Sequence, residues 1–209
     1  MPDEAVEGES ENIEDLPQGD QEALARFFSR YRDRLLKLID YRLDHRLRGR
    51  VSASDVLQEA YIDALKRMPH LEGEAGIPVF VWLRKVTIQR LIQVYREHIL
   101  AQGRDASKEV RSFDDAGFEP SSDGLAELFG RLSPSQIVRR GDTIAEVREA
   151  MDRLDPVDRE VLALRHFEDL SNIEVAAVIG ITPAAASKRY LRALERLATR
   201  LHPPGEVPS

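Results

Sequence analysis

The stretch from Ser171 to Leu201 constrains this chain more than any other, because every local signal in it sets a helix boundary. Ser171 with Glu174 three residues later forms a capping box, in which hydroxyl and carboxylate satisfy the free amides of a helix start. A helix is predicted from about Asn172, with Val175, Ala176 and Ile179 on one face. Gly180 follows Ala176 by four residues, where the turn requires a positive φ. Thr182 as N-cap and Pro183 at the first helical position start a second helix. Leu191, Leu194, Leu197 and Leu201 are expected to form its buried face, leaving Lys188, Arg189, Arg192, Arg196 and Arg200 outside. Two helices joined by a tight turn, the second basic on its outer face, make the outline of a helix-turn-helix that reads DNA. Surface arginines that serve solubility alone are the plain alternative.

A net charge of -7 runs against nucleic-acid binding until it is divided along the chain. Residues 1–20 hold eight acidic side chains and no Lys or Arg, leaving 30 basic against 29 acidic residues in the rest. An acidic tail thus masks a near-neutral body with basic patches. Residues 1–18 lack periodicity and are expected to be a disordered tail, for solubility or as a competitor with DNA. Cysteine is absent, which excludes disulfides and thiolate metal sites. Without a long apolar run or a basic, apolar leader, the chain is expected to be cytoplasmic.

The remaining periodicity is helical throughout, and nothing reads as a strand. From Asp20 to Leu47, Leu24, Phe27, Phe28, Tyr31, Leu35, Ile39 and Leu43 recur at helical steps, as one helix broken once. Its other residues, counted from Gln21 to Arg50, include nine Lys or Arg against four acids, a solvated or a phosphate-facing surface. The next helix has Ser54 as its expected N-cap and Leu57, Ala60, Tyr61, Ala64, Leu65 and Met68 as its buried stripe. Asp55, Gln58, Glu59 and Asp63 are left as an acidic outer patch that suits a basic protein partner.

Gly73, Gly76 and Pro78 precede a long helix from Val79 to Leu100, with Phe80, Leu83, Val86, Leu91 and Val94 inward. Trp82, Arg84, Lys85, Gln89, Arg90, Gln93 and Arg96 interleave an aromatic with cations and amides, a pattern suited to unpaired bases. A lone helical tryptophan also serves as core. Residues 101–141 form an acidic linker, with a short helix near Leu125–Leu132. Beyond it, Ile144, Val147, Met151 and Leu154 mark one helix. Asp155 caps another that carries Val157, Val161, Leu162 and Leu164. Five scattered histidines form no catalytic or metal-ligating arrangement, so no enzyme, metal or cofactor is expected. The fold class is all-α: a helical domain over 19–100, the linker, and a helix-turn-helix domain over 142–202.

Three stretches resemble the sigma-70 family of bacterial transcription initiation factors, specifically the extracytoplasmic-function (ECF) type. Asp55-Val56-Leu57-Gln58-Glu59 is similar to the family's DLVQE core-binding signature. Phe80-Val81-Trp82-Leu83-Arg84-Lys85 resembles the start of its promoter-melting helix, and Leu154-Asp155-Pro156 through Leu194 its C-terminal domain. The resemblance implies binding of core RNA polymerase, with Asp55, Gln58 and Glu59 on the beta-prime clamp helices and a further contact to the beta flap. It implies that Trp82, Arg84, Lys85, Gln89, Arg90 and Gln93 hold the opened -10 element. Thr182, Ala184, Ala185, Ser187, Lys188, Arg189 and Arg192 would enter the major groove at the -35 element. It also implies an anti-sigma factor as a partner. The recognition helix departs from the family where Ser187-Lys188-Arg189 replaces the frequent Lys-Ser-Arg, and its Ala184–Ala186 tip is nearly featureless. The competing reading is a stand-alone helix-turn-helix regulator that binds duplex operator DNA as a dimer.

Overall fold

The computed structural model describes residues 11–16, 19–43, 47, 49–71, 76–99 and 144–201. Among them are eight α-helices, two short 3-10 turns and no strand. They divide into two compact units, one carrying the helices up to Ile99 and the other those from Ile144 onward. Most of the acidic tail, the linker and the short helix expected near Leu125–Leu132 lie outside the described residues.

The first unit contains α1 (Gln21–Arg30), α2 (Arg32–Arg42), α3 (Ala53–Arg67) and α4 (Val79–Ile99). The long amphipathic stretch is broken once, at Tyr31, as the periodicity predicts. The Asp20 carboxylate accepts the Ala23 N–H at 2.9 Å and opens α1. Helix α3 is capped by Ser52 rather than Ser54; the Ser52 hydroxyl accepts the Ser54 N–H at 3.2 Å. The two serines are equivalent by composition, and the backbone that turns extended at Ser52 decides between them. Leu24, Leu35, Leu38, Ile39, Leu57, Phe80 and Leu83 fill the core where these helices meet. Each such side chain contributes roughly 1.5–3 kcal/mol by leaving water. Tyr61 and Leu65, expected in this stripe, are only half-buried at its margin. Arg42, counted with the exposed cations, is buried, its guanidinium 5.1 Å from the Tyr41 ring centroid.

The expectation of a disordered tail through residue 18 does not hold for residues 11–16. They form a clip: a 3-10 turn over Ile13–Asp15, with Ile13 and Leu16 buried. Asn12 pairs antiparallel with Pro78, the Ile13 N–H donates to the Ile77 carbonyl at 2.9 Å, and the Val79 N–H donates to the Glu11 carbonyl at 2.8 Å. The last bond satisfies an amide that α4, beginning there, cannot satisfy itself. Glu11 also pairs with Arg30, raising that guanidinium's already high pKa through the hydrogen bond and its charge. Two apolar residues three positions apart anchor a segment that its acidity made look unstructured.

The second unit contains α5 (Ile144–Asp152), α6 (Pro156–His166), α7 (Asn172–Ile179) and α8 (Pro183–Leu201). Asp155 caps α6 through the Val157 N–H at 3.0 Å, with Pro156 at the first position, as predicted. Helix α8 packs on α6 and α5, burying Ala186, Tyr190, Ala193, Leu194, Leu197 and Leu201. Leu191 was expected inside and is exposed instead, as is Val157 at the start of α6. Leu191 lies on the flank of α8, beyond the stripe that Tyr190 and Leu194 occupy, so the inner face is narrower than four leucines suggested.

Candidate nucleic-acid and partner surfaces

In the second unit the capping box forms as read: the Glu174 N–H donates to the Ser171 hydroxyl at 3.3 Å and the Ser171 N–H to the Glu174 carboxylate at 2.7 Å. Gly180 closes α7 in the left-handed region, at φ 70 and ψ 36. Thr182 then opens α8 by accepting the Ala185 N–H at 3.2 Å, and Asn172 donates its side-chain amide to the Pro183 carbonyl at 2.9 Å. The turn between the two helices is therefore held at both ends. On α8, Thr182, Ala184, Ala185, Ser187, Lys188 and Arg192 are exposed and Arg189 is half-buried. Small residues on the first turn let the backbone approach a groove closely, and the cations behind them suit phosphates or guanine edges.

Two polar links that sequence reading missed fix α8 against α6. Buried His166 and Tyr190 share a hydrogen bond of 3.0 Å between Nε2 and the phenol oxygen. Arg196, exposed with the other cations as predicted, also bonds to the buried Asp158 carboxylate. A periodic pattern marks Arg196 as outer but carries no sign of a partner 38 positions earlier.

In the first unit, Asp55, Gln58 and Glu59 are exposed on α3 with Val56, Leu57 and Ala60 buried behind them. Their spacing puts them on one face, as the acidic-patch reading requires. Helix α4 departs further from expectation. Trp82 is 3% exposed and Arg84 7%, so neither offers a surface to a base in this conformation. Both follow Phe80 and precede Val86 on the turn of α4 that enters the core. Lys85, Gln89 and Gln93 are exposed. Gln89 accepts from Arg67 of α3, and Gln93 donates to Glu97 at 2.8 Å. Arg90 donates its Nε to Asp63 at 2.9 Å.

Among the described residues, no group of three or more His, Cys, Asp or Glu could hold a metal ion, and no helix is long and apolar enough to cross a membrane.

A capped helix pair with a left-handed glycine turn and a basic second helix defines a helix-turn-helix DNA-binding unit. Residues 144–197, within the second unit, match the family model described as sigma-70, region 4. Along nearly its whole length the chain resembles sigma factors of the ECF group. It is 27% identical over 197 residues to the RNA polymerase sigma-H factor of Pseudomonas aeruginosa, covering 94% of this chain and 95% of that one. It is 24% identical to the ECF RNA polymerase sigma-E factor of Escherichia coli (strain K12), covering 91% and 93%. A solved complex of the sigma factor RpoE with the anti-sigma factor NepR from Bartonella quintana gives a TM-score of 0.42 at 18% identity, covering 89% of this chain and 98% of that one.

Proposed function

We propose that this chain is a transcription initiation factor that binds core RNA polymerase and directs it to particular promoters. The observation that carries the reading is the region 4 helix-turn-helix with its exposed Lys188 and Arg192, in a chain similar to RNA polymerase sigma factors over more than nine-tenths of its length. Helix α8 would lie in the major groove of the -35 element, with Ala184, Ala185 and Ser187 close to the bases and Lys188, Arg189 and Arg192 on phosphates or guanines. Asp55, Gln58 and Glu59 would meet the basic clamp of the polymerase. Lys85, Gln89, Arg90 and Gln93 of α4 would hold the opened -10 strand, with Trp82 and Arg84 supporting that helix from the core. Promoter opening is then driven by binding energy, and bond making stays with the polymerase. An anti-sigma factor is the further partner this reading brings.

Purified protein is added to core polymerase and transcription is measured from a library of promoter fragments. Promoter-specific transcripts are expected; no association with core would sink the reading in favour of a stand-alone operator binder. Substituting Asp55→Asn and Glu59→Gln together should weaken core binding at least tenfold, on the order of what loss of paired interface charges costs. Circular dichroism should stay unchanged, because both side chains are exposed.

A further inference from the structure

The polar face of α4 is engaged by α3 itself. Arg90 is the clearest case: its Nε and one terminal nitrogen both bond to the Asp63 carboxylate, and its other terminal nitrogen lies 3.6 Å from Glu59 Oε2. All three nitrogens of the guanidinium thus face carboxylates, and the side chain is only 15% exposed. A phosphate approaching this arginine meets a charge already offset by two acids.

The two acids differ in what can reach them. Asp63 is 13% exposed and bonded at close range, so it is the firmer of the two holds on Arg90, and Lys66 stands 3.9 Å from its other oxygen, ready to take over its charge. Glu59 is 51% exposed, stands beyond good hydrogen-bonding distance, and belongs to the face proposed to meet the polymerase. A cation from that partner competes directly with Arg90 for Glu59.

We propose that Asp63 is a positioning residue that holds Arg90 away from nucleic acid in the free protein. Glu59 sets how firmly, so that a cationic partner on Glu59 makes Arg90 available to the DNA backbone. The inference rests on the reading of α3 as the polymerase face and α4 as the -10 face. It adds a route between them, and such a coupling is reciprocal: DNA engaging Arg90 strengthens binding at Glu59 by the same factor.

The test measures binding of the full-length protein to a short fluorescein-labelled single-stranded oligonucleotide by anisotropy across a salt series. Asp63→Asn should bind about threefold to tenfold tighter, and the plot of log affinity against log salt should steepen by about 0.7, the value for one added phosphate contact on a single strand. Glu59→Gln, at an exposed position that cannot disturb folding, should steepen it by a smaller amount. Asp55→Asn removes the same charge without touching Arg90 and should leave the slope unchanged. In an Arg90→Ala background the steepening should vanish. A purely structural Asp63 would alter stability and not the salt slope. The proposal is overturned if Asp63→Asn and Glu59→Gln match Asp55→Asn in slope, if the steepening survives in Arg90→Ala, or if no variant binds. Failure of the underlying reading shows separately: a Lys85→Ala holoenzyme that opens its promoter as well as wild type removes α4 from the DNA, whatever Asp63 does.

Discussion

Gly180 sits at φ 70 with open space where a Cβ would project, so replacing it tests backbone conformation alone. Gly180→Ala should cost about 1–2 kcal/mol, the penalty of a left-handed alanine, with no added steric cost. Urea denaturation followed by circular dichroism would measure it; no change would mean that the turn relaxes to another conformation. This residue was legible because a glycine four places after Ala176, just before Thr182-Pro183, stands where one helix must stop and the next begin. His166 was not legible in the same way. A single histidine has no periodic signature, and only the fold brings it to 3.0 Å from Tyr190 on α8. Tyr190→Phe keeps the ring and removes that bond, which at a buried site costs about 1–3 kcal/mol.

Helix α8 divides its arginines between two tasks, and the division can be measured. Lys188 and Arg192 are exposed, one turn apart, on the side away from the buried Tyr190 and Leu194. Replacing both with alanine should weaken binding of holoenzyme to duplex -35 DNA and lower the salt slope by about 1.8, for two phosphate contacts on a duplex. Thermal stability should not move. Arg196→Ala should do the reverse, because it leaves the Asp158 carboxylate, 3% exposed, without this partner. Losing one member of a fully buried pair costs about 3–5 kcal/mol; Arg196 is itself half-exposed and water can replace part of it, so about 2 kcal/mol is expected. Element boundaries were readable from caps, prolines and period, since those signals are local. The pairing of Arg196 with Asp158, the burial of Arg84 and the hold of α3 on Arg90 were not, because each depends on neighbours that only tertiary packing supplies. Arg84 illustrates the cost of that gap: its residue type suits DNA, yet its position on α4 faces the core.

At the scale of the molecule, the clip at residues 11–16 joins the last part of the acidic tail to the start of α4, the helix proposed to open the promoter. Burial of Ile13 and Leu16 contributes roughly 3–6 kcal/mol together. The bonds to Ile77, Val79 and Gly76 add about 1 kcal/mol each. Ordering these residues costs about 1–2 kcal/mol apiece, so the two sides nearly cancel. A contact so balanced opens on its own, without the rest of the unit unfolding. Hydrogen exchange should therefore find the amides of Ile13 and Val79, which bond across the clip, far less protected than those of Leu83 and Leu91 farther along α4. Ile13→Asp should abolish the remaining protection at Val79 while leaving the mid-helix amides slow. If Val79 instead exchanged as slowly as Leu91, the clip would be part of the cooperative core, and the acidic segment would have to be treated as an integral element of the first unit.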